Sequence, residues 1–154
     1  MKDKNEVRSS HSSIGDVVDL AKNCMEKSFR YIDDATDLSE KGSFDSAANR
    51  SYYAIFSAMT AVCLLDKKTF KSHKQLIGTF NKEYIHTDIF PKEFSGKIRQ
   101  AEQVRHMSDY DFSISIPKSV ATEQIQFAKD ICKAISTYCT RKIEELQTKT
   151  NEES

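Results

Sequence analysis

The sequence predicts an all-α fold, an antiparallel up-and-down bundle of four to five helices. Only 4 Gly and 2 Pro occur in 154 residues, too few turn residues for an all-β chain of this length. Apolar residues recur at spacings of three and four over long stretches, the period of a helix with one buried face. Gly42, Ser72, Pro91 and Pro117 fall where such stretches stop or start, the positions that suit helix caps and first turns. A chain of this size buries enough surface to hold as one domain without disulfides or metals. The bundle is expected over residues 14–148, with 1–13 and 149–154 as flexible polar tails.

The first helix is expected from Ile14 to Lys41, with Val17, Ala21, Cys24, Ser28, Tyr31, Ala35 and Leu38 along its inner stripe. Gly42 ends it as a C-terminal cap. So little chain separates it from the next helix, Asp45 to Asp66, that the two must form an antiparallel hairpin. The second helix carries a bulky face of Tyr52, Ile55, Met59 and Val62. A second face, Arg50, Ala54, Ser57 and Ala61, has small side chains that permit close helix approach, which makes it the expected central helix. Ser72 and Gln75 form a capping box for a third, shorter helix with Leu76, Phe80 and Tyr84 on one side, ending near His86. Pro91 is expected to open the fourth, with Phe94, Ile98 and Ala101 inward, and Pro117 the fifth, with Phe127, Ile131, Ala134 and Tyr138 on one face.

Lys plus Arg and Asp plus Glu balance at 23 each, so no net field draws in nucleic acid or a membrane, and any anion site must be local. The first residues are polar with no apolar signal core, which points to a cytoplasmic protein. The most apolar run, Ser46 to Leu65, holds Asn49 and Arg50 near one end and reads as a core helix rather than a membrane span. Cys24, Cys63, Cys132 and Cys139 lie in separate apolar stretches without a Cys-x-x-Cys pair. Neither a zinc site nor a disulfide framework is indicated, and no metal or cofactor is expected.

Continuing the fourth helix's stripe from Phe94, Ile98 and Ala101 reaches Arg105, on the side where a solvated charge is not expected. An inward guanidinium needs a partner, and Asp109 lies one turn on, with Tyr110 and Asp111 beyond. Two readings stay open, a structural Arg–Asp clamp or a site in which Arg105 and Asp109 act together. Arg50 is the second inward candidate, among Asn49, Tyr52 and Tyr53, with snorkelling to the bundle's end as its plain reading. If the second helix begins beside the fourth helix's end, Arg50 and Arg105 form a cationic notch ringed by tyrosines, suited to a phosphate and a stacked base. His73 lies in a first helical turn within Lys71-Ser72-His73-Lys74, where dipole and lysine charge favour an anion. It otherwise reads as a lone surface residue, and His106 falls on the polar face.

Three segments resemble a known family. Gly42-Ser43-Phe44-Asp45-Ser46-Ala47-Ala48-Asn49-Arg50-Ser51-Tyr52-Tyr53-Ala54-Ile55-Phe56 resembles the helix-two signature of bacterial and archaeal HEPN proteins (higher eukaryotes and prokaryotes nucleotide-binding). Lys71-Ser72-His73-Lys74, with Ile77 and Phe80-Asn81-Lys82-Glu83-Tyr84, resembles the family's third-helix region. Arg105 to Asp109-Tyr110-Asp111 resembles its Arg-x-x-x-Asp-Tyr segment. The resemblance spans most of Asp19 to Tyr138. It implies a helical bundle, commonly a homodimer, with a polar motif lining a cleft near the dimer interface.

Many HEPN proteins are metal-independent ribonucleases with an arginine, four to six residues, then a histidine, often encoded beside a nucleotidyltransferase antitoxin. There the histidine serves as the base that frees a ribose 2′-hydroxyl, and arginine steadies the phosphorane-like charge. This sequence departs from that pattern. Arg105 is followed by Asp109 and Tyr110, and no histidine occurs after His106. Arg99 and His106 match formally but face solvent, and a carboxylate paired to Arg105 has its basicity lowered. The resemblance therefore implies a nucleotide- or RNA-binding module, with Asn49, Arg50, Tyr53, His73, Arg105 and Tyr110 as its contacts and a nucleotidyltransferase partner in a toxin–antitoxin or defence pair. Its alternatives are a weak endoribonuclease toxin using Arg105 and Asp109, and a non-catalytic dimeric scaffold.

Overall fold

The structure is a computed structural model that describes residues 13–110, 113 and 115–153. Apart from Ser13, the expected N-terminal tail lies outside the described residues, as does Asp111. The helices are α1 (Ile14–Glu40), α2 (Phe44–Leu65), α3 (His73–Phe80), α4 (Glu93–Tyr110) and α5 (Lys118–Glu153), with a π turn at Asn81–Ile85 directly after α3. Among the described residues no strand occurs, as the composition predicts.

At the start of α1, Ser13 Oγ accepts the Asp16 N–H at 3.1 Å, which satisfies one orphan donor of the first turn. Its buried line is Val18, Ala21, Met25, Ser28, Ile32 and Ala35. The expected stripe is thus turned by part of a step, and Val17, Cys24, Tyr31 and Leu38 are half-buried on its flank. The error is physical: a helix wedged between two neighbours buries a wide arc, and a single stripe of threes and fours marks only one edge of it. Gly42 ends the helix as expected. Its φ of +82° lets Ser43 N–H reach back to Leu38 O at 2.8 Å and Gly42 N–H to Ser39 O at 3.0 Å, the double bond of a left-handed C-terminal cap.

The chain then folds back into α2, which packs against α1, α3, α4 and α5. Ala47, Ala54, Ala58 and Ala61 are fully buried and allow neighbouring backbones to approach: Ser57 Oγ donates to Cys24 O of α1 at 2.9 Å, and Cys132 Sγ of α5 meets Ala54 O at 3.5 Å. Arg50 departs from the expectation. It is exposed, because the arc toward α1 leaves no room for a long cation and the side chain swings outward over a ring.

After α2 the chain climbs back along its own helix. Lys67 takes a positive φ of 56°, Lys68 N–H caps onto Cys63 O at 2.8 Å, and Phe70 packs edge-on to Phe56 at 6.5 Å. His73 thereby opens α3 level with Tyr52, over twenty residues earlier. Ser72 Oγ accepts Gln75 N–H at 3.1 Å while Gln75 Oε1 accepts Lys71 N–H at 2.7 Å. This is the expected capping box shifted by one residue on its return bond. Helix α4 starts two residues after Pro91, following a turn in which Phe94 N–H bonds Pro91 O at 3.0 Å. Pro117 precedes α5, and Ala121 N–H takes its carbonyl at 3.1 Å. Helix α5 stays helical through residues 149–153.

Pairings across the core fix the directions. Ala35 and Ala47 share one small cluster with Ala121 and Ile125, Tyr53 meets Arg105, and Asp66 meets Tyr138. Helices α1, α2, α4 and α5 thus run up, down, up and down, with α3 and its π turn laid along α2. No helix among the described residues is long and apolar enough to cross a membrane. Burial pushes the thiols of Cys63, Cys132 and Cys139 up to about 12 and raises that of half-buried Cys24.

One carboxylate ties three elements at the far end. Asp66 Oδ2 accepts the Tyr84 hydroxyl at 2.5 Å and the Tyr138 hydroxyl at 3.0 Å, and Lys142 Nζ lies 3.2 Å from Oδ1. Burial, together with this carboxylate, holds the Tyr84 phenol well above its usual range. Asp66→Ala strands a buried hydroxyl and a lysine. Urea unfolding is expected to show a loss of about 2–3 kcal/mol with an unchanged m value.

Candidate functional site

The site grows from the register between α2 and α4. Asn49 Nδ2 donates to Asp109 Oδ1 at 3.1 Å, and Asn49 Oδ1 accepts the Ser108 hydroxyl at 3.0 Å. Beyond α4, Ile116 N–H bonds Asp45 Oδ1 at 2.8 Å, so the chain is pinned to the start of α2 on both sides of the α4–α5 connection. The adjacency on which a notch near Arg105 depends is present. Asn49 serves it as a two-way bridge, with both ends of its amide engaged.

Arg105 is half-buried, as its place on the inner stripe implies. Its Nε lies 3.6 Å from Asp109 Oδ2, too long for a hydrogen bond, and is a buried donor without a hydrogen-bond partner in the described structure. One terminal nitrogen donates to the Tyr53 hydroxyl at a long 3.4 Å. The guanidinium sits 5.0 Å over the Tyr52 ring and 5.3 Å over the Tyr53 ring, so aromatic faces supply much of its neutralising environment. Asp109 has one oxygen on Asn49 and the other facing Arg105.

The structure adds His73 to this group. Its Nδ1 is 3.4 Å from the Tyr52 hydroxyl, and its ring stacks on Phe56 at 4.0 Å. Burial, then the positive charge of Arg105, holds the imidazole below its ordinary value against the pull of Glu102. Burial raises the Tyr52 phenol, with Glu102 adding and Arg105 opposing. Histidine, arginine and tyrosine from three helices therefore share one electrostatic environment. Sequence reasoning left His73 among candidate anion contacts without a partner, because the backward climb of residues 67–72 cannot be read from helical periodicity. Phe70, an aromatic in an otherwise polar connection, was the available sign that this segment packs against a neighbour.

Two expected members stand apart. Arg50 is separated from Arg105 by the rings of Tyr31 and Tyr53, and its Cζ lies 5.7 Å over Tyr31. The single notch holding both arginines therefore does not form. Tyr110 is 72% exposed, and its ring lies 4.6 Å from His106, with no contact to Arg105. Arg99 and His106 are both exposed. Among the described residues no group of three His, Cys, Asp or Glu side chains could hold a metal ion.

With this geometry in view, comparison with known proteins is decisive, because the HEPN domain profile matches residues 21–141. The chain belongs to the HEPN family. It is 30% identical over 97 residues to the protein named "Putative toxin MJ0142" of Methanocaldococcus jannaschii, a match covering 63% of this chain and 66% of that protein. It thus spans just under two thirds of that relative. It is 28% identical over 104 residues to a "UPF0332 protein" of Thermotoga maritima, covering 68% of this chain and 79% of the relative. A third relative, "UPF0332 protein glr0978" of Gloeobacter violaceus, is 29% identical over 86 residues, covering 56% of this chain and 68% of its own.

The electrostatics of this HEPN site set a titration. The His73 imidazole is expected to titrate below the ordinary value of about 6.5 when followed by NMR. Arg105→Gln should raise it part of the way, since a nearby cation disfavours the imidazolium while burial, the larger cause, persists. An unchanged His73 titration in the variant would separate the two residues.

Proposed function

We propose that this chain is a HEPN module that docks the phosphate of a nucleotide or RNA at Arg105. In this reading it is the toxin half of a toxin–antitoxin or defence pair, working as a homodimer with a nucleotidyltransferase partner. The observation that carries the proposal is the state of Arg105. A half-buried guanidinium whose polar partners stand at 3.4 and 3.6 Å is poorly paired for a clamp. It is well placed to give charge-assisted bonds to an anion. Tyr53 beside it offers a ring to the attached base. The toxin role is supported by the name of the archaeal relative, and the homodimer and partner by what membership of this family implies.

A second reading, a metal-independent endoribonuclease, is favoured by one observation, the approach of His73 to Tyr52, over whose ring Arg105 lies. In the tautomer whose Nδ1–H is given to the Tyr52 oxygen, Nε2 of this exposed residue carries the lone pair. A depressed pKa keeps that imidazole neutral near pH 7, the form that accepts a proton from a ribose 2′-hydroxyl. The 2′-oxygen then bonds to phosphorus and the bond to the 5′-oxygen breaks, with solvent supplying the leaving group's proton and taking the one His73 received. Arg105 faces the charge on the phosphoryl oxygens. Asp109 suits the base role less, since one oxygen accepts from Asn49 and the other faces the Arg105 guanidinium.

Thermal melts of wild type and Arg105→Gln, with and without UMP and a short RNA, test the first reading. The variant should melt within about 4 °C of wild type, since a partly exposed ion pair contributes at most about 1 kcal/mol. It should also lose a ligand-induced rise of roughly 5 °C at a hundredfold excess over Kd. A variant that melts far lower, with no ligand effect in either protein, makes Arg105–Asp109 a clamp and the chain a scaffold. For the second reading, His73→Gln should lower chelator-resistant RNA cleavage by at least about a hundredfold while RNA binding persists. Equal cleavage by both proteins would remove His73 from the chemistry.

A further inference from the structure

The cations and rings beside Arg105 continue past α2 onto α1. Arg105 lies over Tyr53, and the Tyr53 and Tyr31 rings are 5.9 Å apart at 36°. Two further cations flank Tyr31: Arg50 Cζ at 5.7 Å and Lys27 Nζ at 5.6 Å from its centroid. Tyr31 and Tyr53 each pack against the core yet stay partly open, while Lys27 and Arg50 are exposed. Among the described residues neither of these two cations has a carboxylate within ion-pair distance. The result is a surface track crossing α1, α2 and α4 in which two adjacent tyrosine rings lie between cations at either end.

Paired rings flanked by cations select their ligand. A polynucleotide carries flat bases in succession along a chain of phosphates, so neighbouring rings with cations at both ends meet both parts of the repeat. A duplex would meet the cations but keep its bases stacked inside, and an acidic peptide would leave the rings unused. We propose that Lys27, Tyr31, Arg50 and Tyr53 form a track for a single-stranded polynucleotide, which runs from the Arg105 site toward α1. The inference rests on the phosphate-docking reading for its end at Arg105. It goes beyond that reading in making the ligand a strand rather than a mononucleotide.

The test is fluorescence anisotropy over a series of salt concentrations, with the full chain and four probes. These are UMP as competitor, oligouridylate of about eight nucleotides, oligodeoxythymidylate of the same length, and a blunt RNA duplex. Oligouridylate should bind at least about tenfold more tightly than UMP, and more tightly than the duplex. Lys27→Gln with Arg50→Gln should cut the oligonucleotide-to-UMP affinity ratio by about tenfold. It should also reduce the slope of log K against log salt by about 1.4, near 0.7 for each cation removed. Tyr31→Leu keeps apolar bulk against the core; it should weaken the oligonucleotide by about fivefold or more while leaving the slope unchanged. Circular dichroism melts of each variant confirm the fold. Preference for the RNA probe over the DNA probe places the ribose in the track, and equal binding assigns the track to single strands of either sugar. The proposal is overturned if the oligonucleotide binds no better than UMP or the duplex, or if either set of substitutions leaves its binding as in wild type. If UMP fails to bind while the oligonucleotide binds and responds to the variants, the docking reading falls and the track stands.

Discussion

Enclosure of α2 by small side chains is the constraint from which the other features follow. Alanines at 47, 54, 58 and 61 let the backbones of α1 and α5 come close enough for Ser57 and Cys132 to bond carbonyls across the gap. Close approach on those arcs leaves no volume for large rings, so Tyr52, Tyr53 and Phe56 collect on the remaining side. There α3 and α4 must pack over phenols and ring edges rather than aliphatic chains. A surface of that kind accepts a guanidinium and an imidazole far better than a core of leucine would. The candidate site is thus a product of how the bundle is packed.

Tight and loose polar pairing lie at different ends of the bundle. At the α2 C-terminus a carboxylate is tied to two hydroxyls and an ammonium at short distances, and the aromatic cluster of Phe80, Tyr84, Phe90 and Tyr138 surrounds it. At the other end the polar contacts of Arg105 are long, at 3.4 and 3.6 Å. Contacts of that length hold the guanidinium less firmly than the hydroxyls and ammonium hold Asp66. Asn49 makes this looseness tolerable, because it fixes α4 against α2 without using the arginine.

Much of the fold was legible in the sequence. Gly42, Ser72, Pro91 and Pro117 marked the boundaries to within two residues, because caps and first turns are local chemistry that depends on few neighbours. The inner arc of α1 was misplaced, since which flank of a wide apolar face is deepest is set by the helices it meets. Arg105 was found by extending a stripe by one step. Arg50 was misjudged by the same method, because periodicity gives an angle around a helix but says nothing of the room on that side. The union of His73 with Arg105 was out of reach, for it depends on a connection that doubles back along α2 and brings together residues well separated in the chain. The HEPN resemblance named the right family from contiguous segments, which sequence carries directly.

The four thiols have a practical consequence. Three of them are pushed up to about 12 by burial, and the fourth, Cys24, is raised and only half-open. The nucleophile in alkylation is the thiolate, so burial of Cys63, Cys132 and Cys139 shields them from maleimide dyes in the folded chain. Half-open Cys24 is the native thiol left within reach. With Cys24 replaced by Ala, a single cysteine introduced at exposed Lys149, on the α5 end remote from Arg105, would take up label alone. The three buried thiols can stay in place while motion, orientation and assembly are followed by fluorescence.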